Sequence, residues 1–198
     1  MEYRNGRMTE SEIREALPAY KEYFTYEDYL TWDEDIRFEL IDGKPYMMGA
    51  PNISHQRLLG KLYLIFGNYL KGKKCEVFFA PFEVRLNFDT FDDTVVQPDL
   101  MIVCDKSKLD GKGILGAPEM VAEILSPSTS KYDKVTKFDA YLKNGIPEYW
   151  ILDPKEKTLT VNLLENGTYI VYPYKHTDTV PVKALKGFSI NLDEVFEA

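Results

Sequence analysis

Two carboxylates stand in stretches of sequence that otherwise have the character of buried β-strands. Asp99 follows Pro98 within the apolar run VVQPDLMIVC, and Glu123 lies in the middle of the next apolar run, PEMVAEILS. An isolated charge is among the most costly groups to remove from water. We therefore expect the two acidic side chains to share a positive partner, and such oxygen ligands suit Mg²⁺ or Mn²⁺ better than zinc.

The positions of these carboxylates on their strands would allow them to meet. Side chains alternate along a strand, so Val121, Glu123 and Leu125 share one face. Pro98 removes a backbone donor and favours the start or the edge of a strand, which puts Asp99 at a strand entrance. If the two strands are neighbours, Asp99 and Glu123 converge on one spot.

A lysine in the segment that follows Glu123 extends this group. Asp133 and Lys137 are four residues apart in a predicted helix, so they share one face, and Tyr141 lies one turn further along. A lysine placed over a metal–carboxylate pair can hold an attacking water or offset charge that develops on a phosphoryl group. A divalent cation, carboxylates and a lysine together suit the hydrolysis of a phosphodiester.

Each of these residues also has a simpler interpretation when taken alone. Asp99 could cap a strand entrance, and Glu123 could pair with a buried lysine or arginine. Lys137 could be a solvated helix residue, and His55 could be a hydrogen-bonding residue at a helix N-terminus. Glu39 could lie on the exposed side of a hairpin.

The elements that must position these residues follow from periodicity and turn signals. In the first half of the chain we predict a short helix capped by Thr25, a hairpin turning at Asp42-Gly43, an amphipathic helix over 51–74 and a strand over 75–88 bent at Pro81. Strands over 94–104 and 118–126 follow. The last predicted elements are a helix over 126–145 capped by Ser128, Thr129 or Ser130, a strand over 147–154 and a hairpin turning at Asn166-Gly167. This order predicts an α/β (α+β) fold with a central mixed β-sheet flanked by helices.

Composition sets limits on domain organisation and partners. The 198 residues suit one domain, which we place at residues 25–198, after an N-terminal extension at 1–24 that is helical or partly ordered. The net charge of −8 disfavours broad, non-specific nucleic-acid binding. No apolar run could span a membrane and the N-terminus lacks a secretory signal, so the cytoplasm is the expected compartment. In that compartment we expect Cys75 and Cys104 to be reduced thiols.

The ordered motifs FELIDG, SHQ, QPDL, AEILSPST, DKVTK and GIPEYWILD resemble the Uma-type restriction endonuclease family, within the PD-(D/E)xK nuclease superfamily. The resemblance runs from about residue 25 to residue 172. It implies a restriction-endonuclease-like fold with an Mg²⁺-dependent nuclease site at one edge of the sheet. Asp99 and Glu123 match the metal-binding acidic positions, and the backbone carbonyl of Ile124 would be a further ligand.

One position departs from the general superfamily pattern. Leu125 stands two residues after Glu123, where lysine is usual. The Uma-type pattern has the same gap and carries a lysine in the following helix, which corresponds to Lys137. Glu39 and His55 match polar positions of the family, which places them near the site as a supporting ligand, an orienting group or a base.

These observations predict a metal-dependent endonuclease that acts on DNA as a homodimer. Two alternatives remain open: a nuclease-like fold that binds nucleic acid or regulates with little catalysis, and a hydrolase of small phosphoesters. Lysines are clustered at 71–74, 106–112 and 131–137. An endonuclease should gather these clusters along one groove beside Asp99, whereas an enzyme for small substrates should have a closed pocket.

Overall fold

The computed structural model describes residue 17 and residues 21–33, 35–126 and 132–197, with the backbone alone described at 132–134. Several predictions therefore lie outside the described residues. These are most of the N-terminal extension, the capping residues at 128–130 and the side chain of Asp133.

The described part of the chain contains thirteen strands. They are β1 (Phe38–Ile41), β2 (Lys44–Met47), β3 (Glu76–Phe79), β4 (Glu83–Arg85), β5 (Val95–Val96), β6 (Leu100–Val103), β7 (Gly113–Leu115), β8 (Met120–Ile124), β9 (Glu148–Asp153), β10 (Thr158–Glu165), β11 (Thr168–Lys175), β12 (Thr179–Pro181) and β13 (Ser189–Asn191).

The helices are fewer and mostly short. They are α1 (Tyr26–Tyr29), α2 (Ile53–Leu70), a π-helix (Tyr132–Lys137) that leads directly into α3 (Phe138–Lys143), and α4 (Leu192–Phe196), with a 3₁₀ turn at Lys106–Lys108. Within the described ranges, none of the helices combines the length and apolar character needed to cross a bilayer.

The strands form two larger mixed sheets and a small hairpin. The six-stranded sheet has the order β11-β10-β9-β8-β6-β3 and is antiparallel except between β8 and β9. The five-stranded sheet has the order β2-β1-β5-β4-β7 and is antiparallel except between β4 and β7. The predicted mixed sheet flanked by helices is confirmed, and the second sheet is an addition that the sequence patterns did not predict.

Three apolar cores hold these layers together. The central core lies between the two sheets, since it joins Val84 and Val96 of the five-stranded sheet to Val121 and Ile151 of the six-stranded sheet. Helix α2 and the C-terminal elements cover the opposite face of the six-stranded sheet. The segment around α1 covers the outer face of the five-stranded sheet, with Trp32 in its core.

The chain passes between the two sheets at two prolines. The run 75–88 divides into β3 and β4 around Pro81, and the run 94–104 divides into β5 and β6 around Pro98, with the two halves in different sheets. Proline has no N–H to donate to a ladder, so a strand is readily interrupted there. The two crossings are adjacent, because the Ala80 N–H donates to the backbone carbonyl of Asp99 at 3.2 Å. Asp99 therefore lies where the two sheets exchange strands.

The elements with strong local signals are confirmed. The hairpin turns at Asp42 and Gly43, whose φ angles of 47° and 71° are those of a tight two-residue turn. Helix α1 begins after Thr25, whose N–H donates to the Asp28 carboxylate. The segment between the predicted strands at 94–104 and 118–126 contains β7, which escaped prediction because it has three residues and little alternation.

The prediction of reduced thiols is wrong in this structure, where Cys75 and Cys104 form a disulfide. The physical reason is the register of β3 and β6. Glu76 lies opposite Val103, so one step further along the ladder Cys75 lies opposite Cys104. Prediction from the compartment alone overlooked that two cysteines flanking paired antiparallel strands are brought face to face.

We predict that the native protein contains no reactive thiol and loses stability without the disulfide. The bond joins residues 29 apart, for which loop-closure entropy corresponds to about 3–4 kcal/mol of the free energy of unfolding. Thiol titration under native and denaturing conditions tests the first point. Urea unfolding of the Cys75→Ser, Cys104→Ser double variant tests the second. Two titratable thiols in protein purified without reductant would contradict the assignment.

Candidate active site

A buried lysine joins two buried glutamates between the sheets. The Lys137 Nζ lies 2.8 Å from Glu123 Oε1 and 3.0 Å from Glu39 Oε1. No more than 3% of any of the three residues is exposed. Glu39 comes from the five-stranded sheet and Glu123 from the six-stranded sheet, so one ammonium group connects the two layers.

Each of the three side chains is directed inward by its own element. Glu39 alternates with Phe38 and Leu40, which pack in the outer core, so Glu39 faces the central core. It is fully buried, which rules out the exposed hairpin position considered from sequence. Its Oε1 also accepts a hydrogen bond from the Gln97 N–H at 2.7 Å. Glu123 lies in β8 on the same face as Val121, as the alternation predicted.

Lys137 is the last residue of the π-helix, a type of turn that often occurs at functional sites. Four residues later, the Tyr141 hydroxyl donates to the same oxygen, Glu123 Oε1, at 2.6 Å. Burial, and then the neighbouring charge of Glu123, raise the pKa of Tyr141 well above its usual value. Tyr141 is therefore a hydrogen-bond donor to Glu123 throughout the neutral and moderately alkaline range.

Asp99 lies beside Glu123 on the neighbouring strand. Leu100 pairs with Ala122 in the antiparallel ladder, and one further step places Asp99 opposite Glu123. The Asp99 Oδ2 accepts a hydrogen bond from the Ile124 N–H at 2.7 Å. The two acidic residues thus occupy adjoining positions on neighbouring strands, and their convergence on a shared cation stays a prediction.

His55 contacts Asp99 from helix α2, which covers the face of the six-stranded sheet opposite the central core. It lies in the first turn of α2, where Asn52 caps the helix by accepting from the His55 backbone N–H at 2.9 Å. Its Nε2 lies 2.9 Å from Asp99 Oδ2. A carboxylate can only accept, so the proton of this hydrogen bond lies on Nε2. The other ring nitrogen, Nδ1, is buried and has no hydrogen-bond partner in the described part of the chain.

The charges of this group suit a divalent cation. The carboxylates of Glu39, Glu123 and Asp99 carry three formal negative charges, and Lys137 carries one positive charge, so two negative charges remain when His55 is left aside. Both hydrogen bonds of Asp99 described above use Oδ2, which leaves Oδ1 for another ligand. The oxygen donors are those that Mg²⁺ prefers.

The described residues do not form a complete metal cage. Within the described ranges, no three or more histidine, cysteine, aspartate or glutamate side chains are placed so that they could hold an ion alone. Mg²⁺ does not require such a cage, since it is usually bound by one or two carboxylates with waters and substrate phosphates completing its shell. The residues present therefore fit a magnesium-type ion and do not fit a structural zinc.

All six predicted site positions lie in this one region: Glu39, His55, Asp99, Glu123, Ile124 and Lys137. Their chemical roles stay predictions, and for Ile124 the contact observed is its N–H and not its carbonyl. Leu125 packs in the central core, so its position cannot supply a lysine. Tyr141 and Gln97 were not predicted to be site residues. The four-residue spacing of Tyr141 from Lys137 is a sequence signal that could have identified it. Gln97 contacts Glu39 through its backbone N–H, so the type of its side chain gives no such signal.

The lysines at 71–74, Lys106 and Lys108 do not gather beside Asp99. Lys106 pairs with Glu76, and Lys108 pairs with Glu119 at 3.0 Å. The cluster at 71–74 follows the C-terminal end of α2, about 22 Å along the helix from His55 at 1.5 Å per residue. This part of the sequence-based criterion for a nuclease is therefore not met by these lysines.

Comparison with known proteins assigns the chain to a family. A family model described as "Uma2: Putative restriction endonuclease" matches residues 26–193. The chain belongs to the Uma2 family. The resemblance read from the sequence motifs is thus confirmed, and membership of the Uma2 family supports a nuclease-type function.

Similar proteins are known from cyanobacteria. The uncharacterized protein slr1290 of Synechocystis sp. is 28% identical over 175 residues, which cover 86% of this chain and 90% of that protein. The uncharacterized protein sll1609 of the same organism is 26% identical and covers 65% of this chain and 74% of its own length. A crystal structure described as "a putative nuclease belonging to DUF820" from Anabaena variabilis has a TM-score of 0.72 at 20% identity, covering 87% of this chain and 97% of that chain. This likeness confirms the fold.

We predict that removing the ammonium group of Lys137 destabilises the fold. Lys137→Ala leaves Glu39 and Glu123 buried without their shared cation, which should lower the free energy of unfolding by about 3–5 kcal/mol. Adding Glu39→Gln should restore part of the loss. Urea unfolding measures both, with Lys155→Ala as the matched control because Lys155 is exposed. Equal losses for Lys137→Ala and Lys155→Ala would show that the buried group is not stabilising.

Proposed function

We propose that this protein is a metal-dependent endonuclease that hydrolyses phosphodiester bonds in DNA. The observation that supports this best is the pairing of Asp99 and Glu123 on neighbouring strands, with Lys137 reaching Glu123 from the following helix. In this arrangement Lys137 would take the role of the superfamily lysine, because Leu125 occupies the usual position.

Asp99, Glu123 and the backbone carbonyl of Ile124 would hold Mg²⁺ or Mn²⁺. Such an ion, when bound, supplies polarisation of the phosphate and lowers the pKa of a bound water from 15.7 toward about 7. The preference for a magnesium-type ion follows from the oxygen donors and from the excess negative charge of the site.

The protein's own side chains would position these groups and balance their charge. Lys137 and Tyr141 both hold Glu123 through Oε1, which fixes the direction of its carboxylate. His55 and the Ile124 N–H fix Asp99 through Oδ2. The Lys137 ammonium would also offset negative charge on the phosphoryl group in the transition state. Glu39 shares this ammonium and would act as a positioning residue.

Hydrolysis of a small phosphoester is the second candidate function. It is favoured by the net charge of −8 and by the distance of the 71–74 lysines from Asp99. A nuclease-like fold that binds or regulates with little catalysis is a further alternative. DNA as partner, the homodimer and the cytoplasmic location stay predictions, and the homodimer would let two sites address two strands.

We predict plasmid nicking and cleavage that require Mg²⁺ or Mn²⁺ and are lost in Asp99→Asn. This change keeps the side-chain volume but removes the negative charge beside Glu123, so activity should fall at least a hundredfold, in keeping with the loss of an electrostatic catalytic group. The assay compares supercoiled, nicked and linear DNA with and without EDTA. Asp89→Asn is the matched control, because Asp89 is an exposed carboxylate in the loop after β4.

The comparison separates the three candidate functions. Equal cleavage by wild type, Asp99→Asn and Asp89→Asn would identify a contaminating nuclease and remove the proposal. Absence of DNA cleavage, together with metal-dependent hydrolysis of bis(p-nitrophenyl) phosphate that Asp99→Asn abolishes, would favour the small phosphoester. DNA binding without either reaction would favour the binding module.

A further inference from the structure

One stretch of the chain has a charge opposite to that of the whole protein. The net charge is −8, yet residues 43–75 contain six lysines and arginines and no aspartate or glutamate. Helix α2 makes up most of this stretch and has no acidic residue even in its first turn, where the helix dipole favours one. Helix stability therefore does not explain the absence of acidic side chains. A helix of this composition suits a polyanionic partner.

The basic residues are spread along the outward side of α2. Arg57 is exposed near its N-terminal end, and the lysines at 71–74 are exposed just beyond its C-terminal end. Acidic residues border this side at two places, where Asp105 approaches the last of these lysines and where Lys61 donates to the backbone carbonyl of Glu197. None of these acidic residues belongs to the helix itself.

Gly60 leaves a bare stretch of backbone between the basic ends of this side. It lies inside the helix, three residues from both Arg57 and Tyr63, so these two side chains flank it on the surface. Glycine inside a helix costs stability relative to alanine. Packing does not require it, because a Cβ there would meet no atom of the described chain within 4 Å apart from its own helix. The close approach of a ligand does require a bare backbone.

Two exposed aromatic rings lie beside Gly60. Tyr63 of α2 and Phe79 of β3 are 36% and 48% exposed, and their ring centres are 4.8 Å apart in an edge-to-face contact. Such a contact covers at most one face of one ring, and the rest of the described chain provides no other aromatic ring or cation that covers either of them. Bases of any identity can stack on such rings when they are not paired in a duplex.

The ring pair is adjacent to Asp99 through the ladder of β3 and β6. Phe79 lies opposite Leu100, the residue after Asp99, so the Cα atoms of Phe79 and Asp99 are at most about 9 Å apart. On α2, His55 contacts the Asp99 carboxylate at 2.9 Å, and Tyr63 follows His55 by two turns of the same helix. A strand stacked on the two rings would therefore lead directly to a phosphodiester at Asp99.

We propose that the outward side of α2, with Phe79, binds a single-stranded segment of nucleic acid. This α2 surface consists of Arg57, Gly60, Tyr63, Phe79 and the lysines at 71–74. The rings stack unpaired bases, Gly60 admits the sugar–phosphate backbone and the cations neutralise phosphates. Delivery of the strand to a cleavage site rests on the proposed nuclease function, whereas binding requires neither the metal nor Asp99.

The first test is a titration of wild-type protein with a labelled oligothymidylate of about eight nucleotides in EDTA, followed by fluorescence anisotropy. The single strand should bind about tenfold more tightly than a blunt duplex of the same length, because paired bases cannot reach the rings. Phe79→Leu keeps an apolar side chain but removes the ring, so the affinity should fall about tenfold. Phe91→Leu is the matched control, because Phe91 is an exposed aromatic residue in the loop after β4.

The salt dependence of binding separates stacking from charge. Phe79→Leu should leave the slope of log affinity against log salt unchanged, because stacking releases no counterions. Replacing the three lysines at 71–74 by alanine should reduce that slope by about two, at about 0.7 for each phosphate contact of a single strand.

A further variant keeps the test independent of folding. Gly60→Gln introduces a better helix former at an open position, so the melting temperature should stay unchanged or rise. Its side chain would occupy the space between Arg57 and Tyr63, so binding of the oligonucleotide should weaken several-fold. Unchanged affinity in this variant would contradict the role of the bare backbone.

Other results would overturn the assignment as a whole. These are equal affinity for single strand and duplex, unchanged affinity in Phe79→Leu, or no binding at about 100 μM protein, the weak end of non-specific binding. A dimer that becomes a monomer in Gly60→Gln by light scattering, together with no oligonucleotide binding, would show that a second copy of the chain covers this surface.

The two proposals can fail separately. Single-strand binding that depends on Phe79 and on the lysines, in a protein that cleaves no DNA, would support the α2 surface and remove only the nuclease proposal. Metal-dependent cleavage that Asp99→Asn abolishes, combined with no preference for single strands, would leave the nuclease proposal and remove the α2 surface.

Discussion

The structure depends on one buried cation between two carboxylates. Without the Lys137 ammonium, Glu39 and Glu123 would place two negative charges inside the central core, where water cannot solvate them. A buried ion pair gains little net stability over apolar residues of the same shape, because desolvation offsets most of the attraction. Its retention between the two sheets is therefore better explained by a requirement for charge at that place than by a requirement for stability.

The remaining features of the site follow from where the sheets exchange strands. At Pro81 and at Pro98 the chain leaves one sheet and enters the other. These two crossings are adjacent, and Asp99 lies at them, one strand away from Glu123. Helix α2 delivers His55 to the same point from the opposite face of the six-stranded sheet. The site thus combines both sheets and two helices, although its residues are spread over about 100 positions of sequence.

Sequence reasoning succeeded where local rules decide the structure. The period-2 alternation of β8 correctly grouped Glu123 with Val121 and Leu125, and turn residues correctly placed the hairpins. For Glu39 the alternation left the exposed side of a hairpin open, and only the family resemblance placed it near the site. It was incomplete where the answer depended on which strands pair. The division of 94–104 between two sheets and the disulfide of Cys75 with Cys104 both follow from strand registers, which no single stretch of sequence contains. The hydrogen bond from the Gln97 N–H to Glu39 is likewise a consequence of strand pairing that no single stretch of sequence contains.

The delivery of Lys137 by a helix has a mechanical consequence. A lysine on a strand is fixed by the ladder of its sheet, whereas Lys137 lies at the junction of the π-helix and α3, which pack on the sheets through side chains such as Ala140 and Tyr141. One residue corresponds to 100° of rotation about a helix axis, so a shift of one position would carry the ammonium away from both carboxylates. The sheets could keep every hydrogen bond of their ladders during such a shift. The integrity of the scaffold and the assembly of the charged centre are thus governed by separate parts of the molecule.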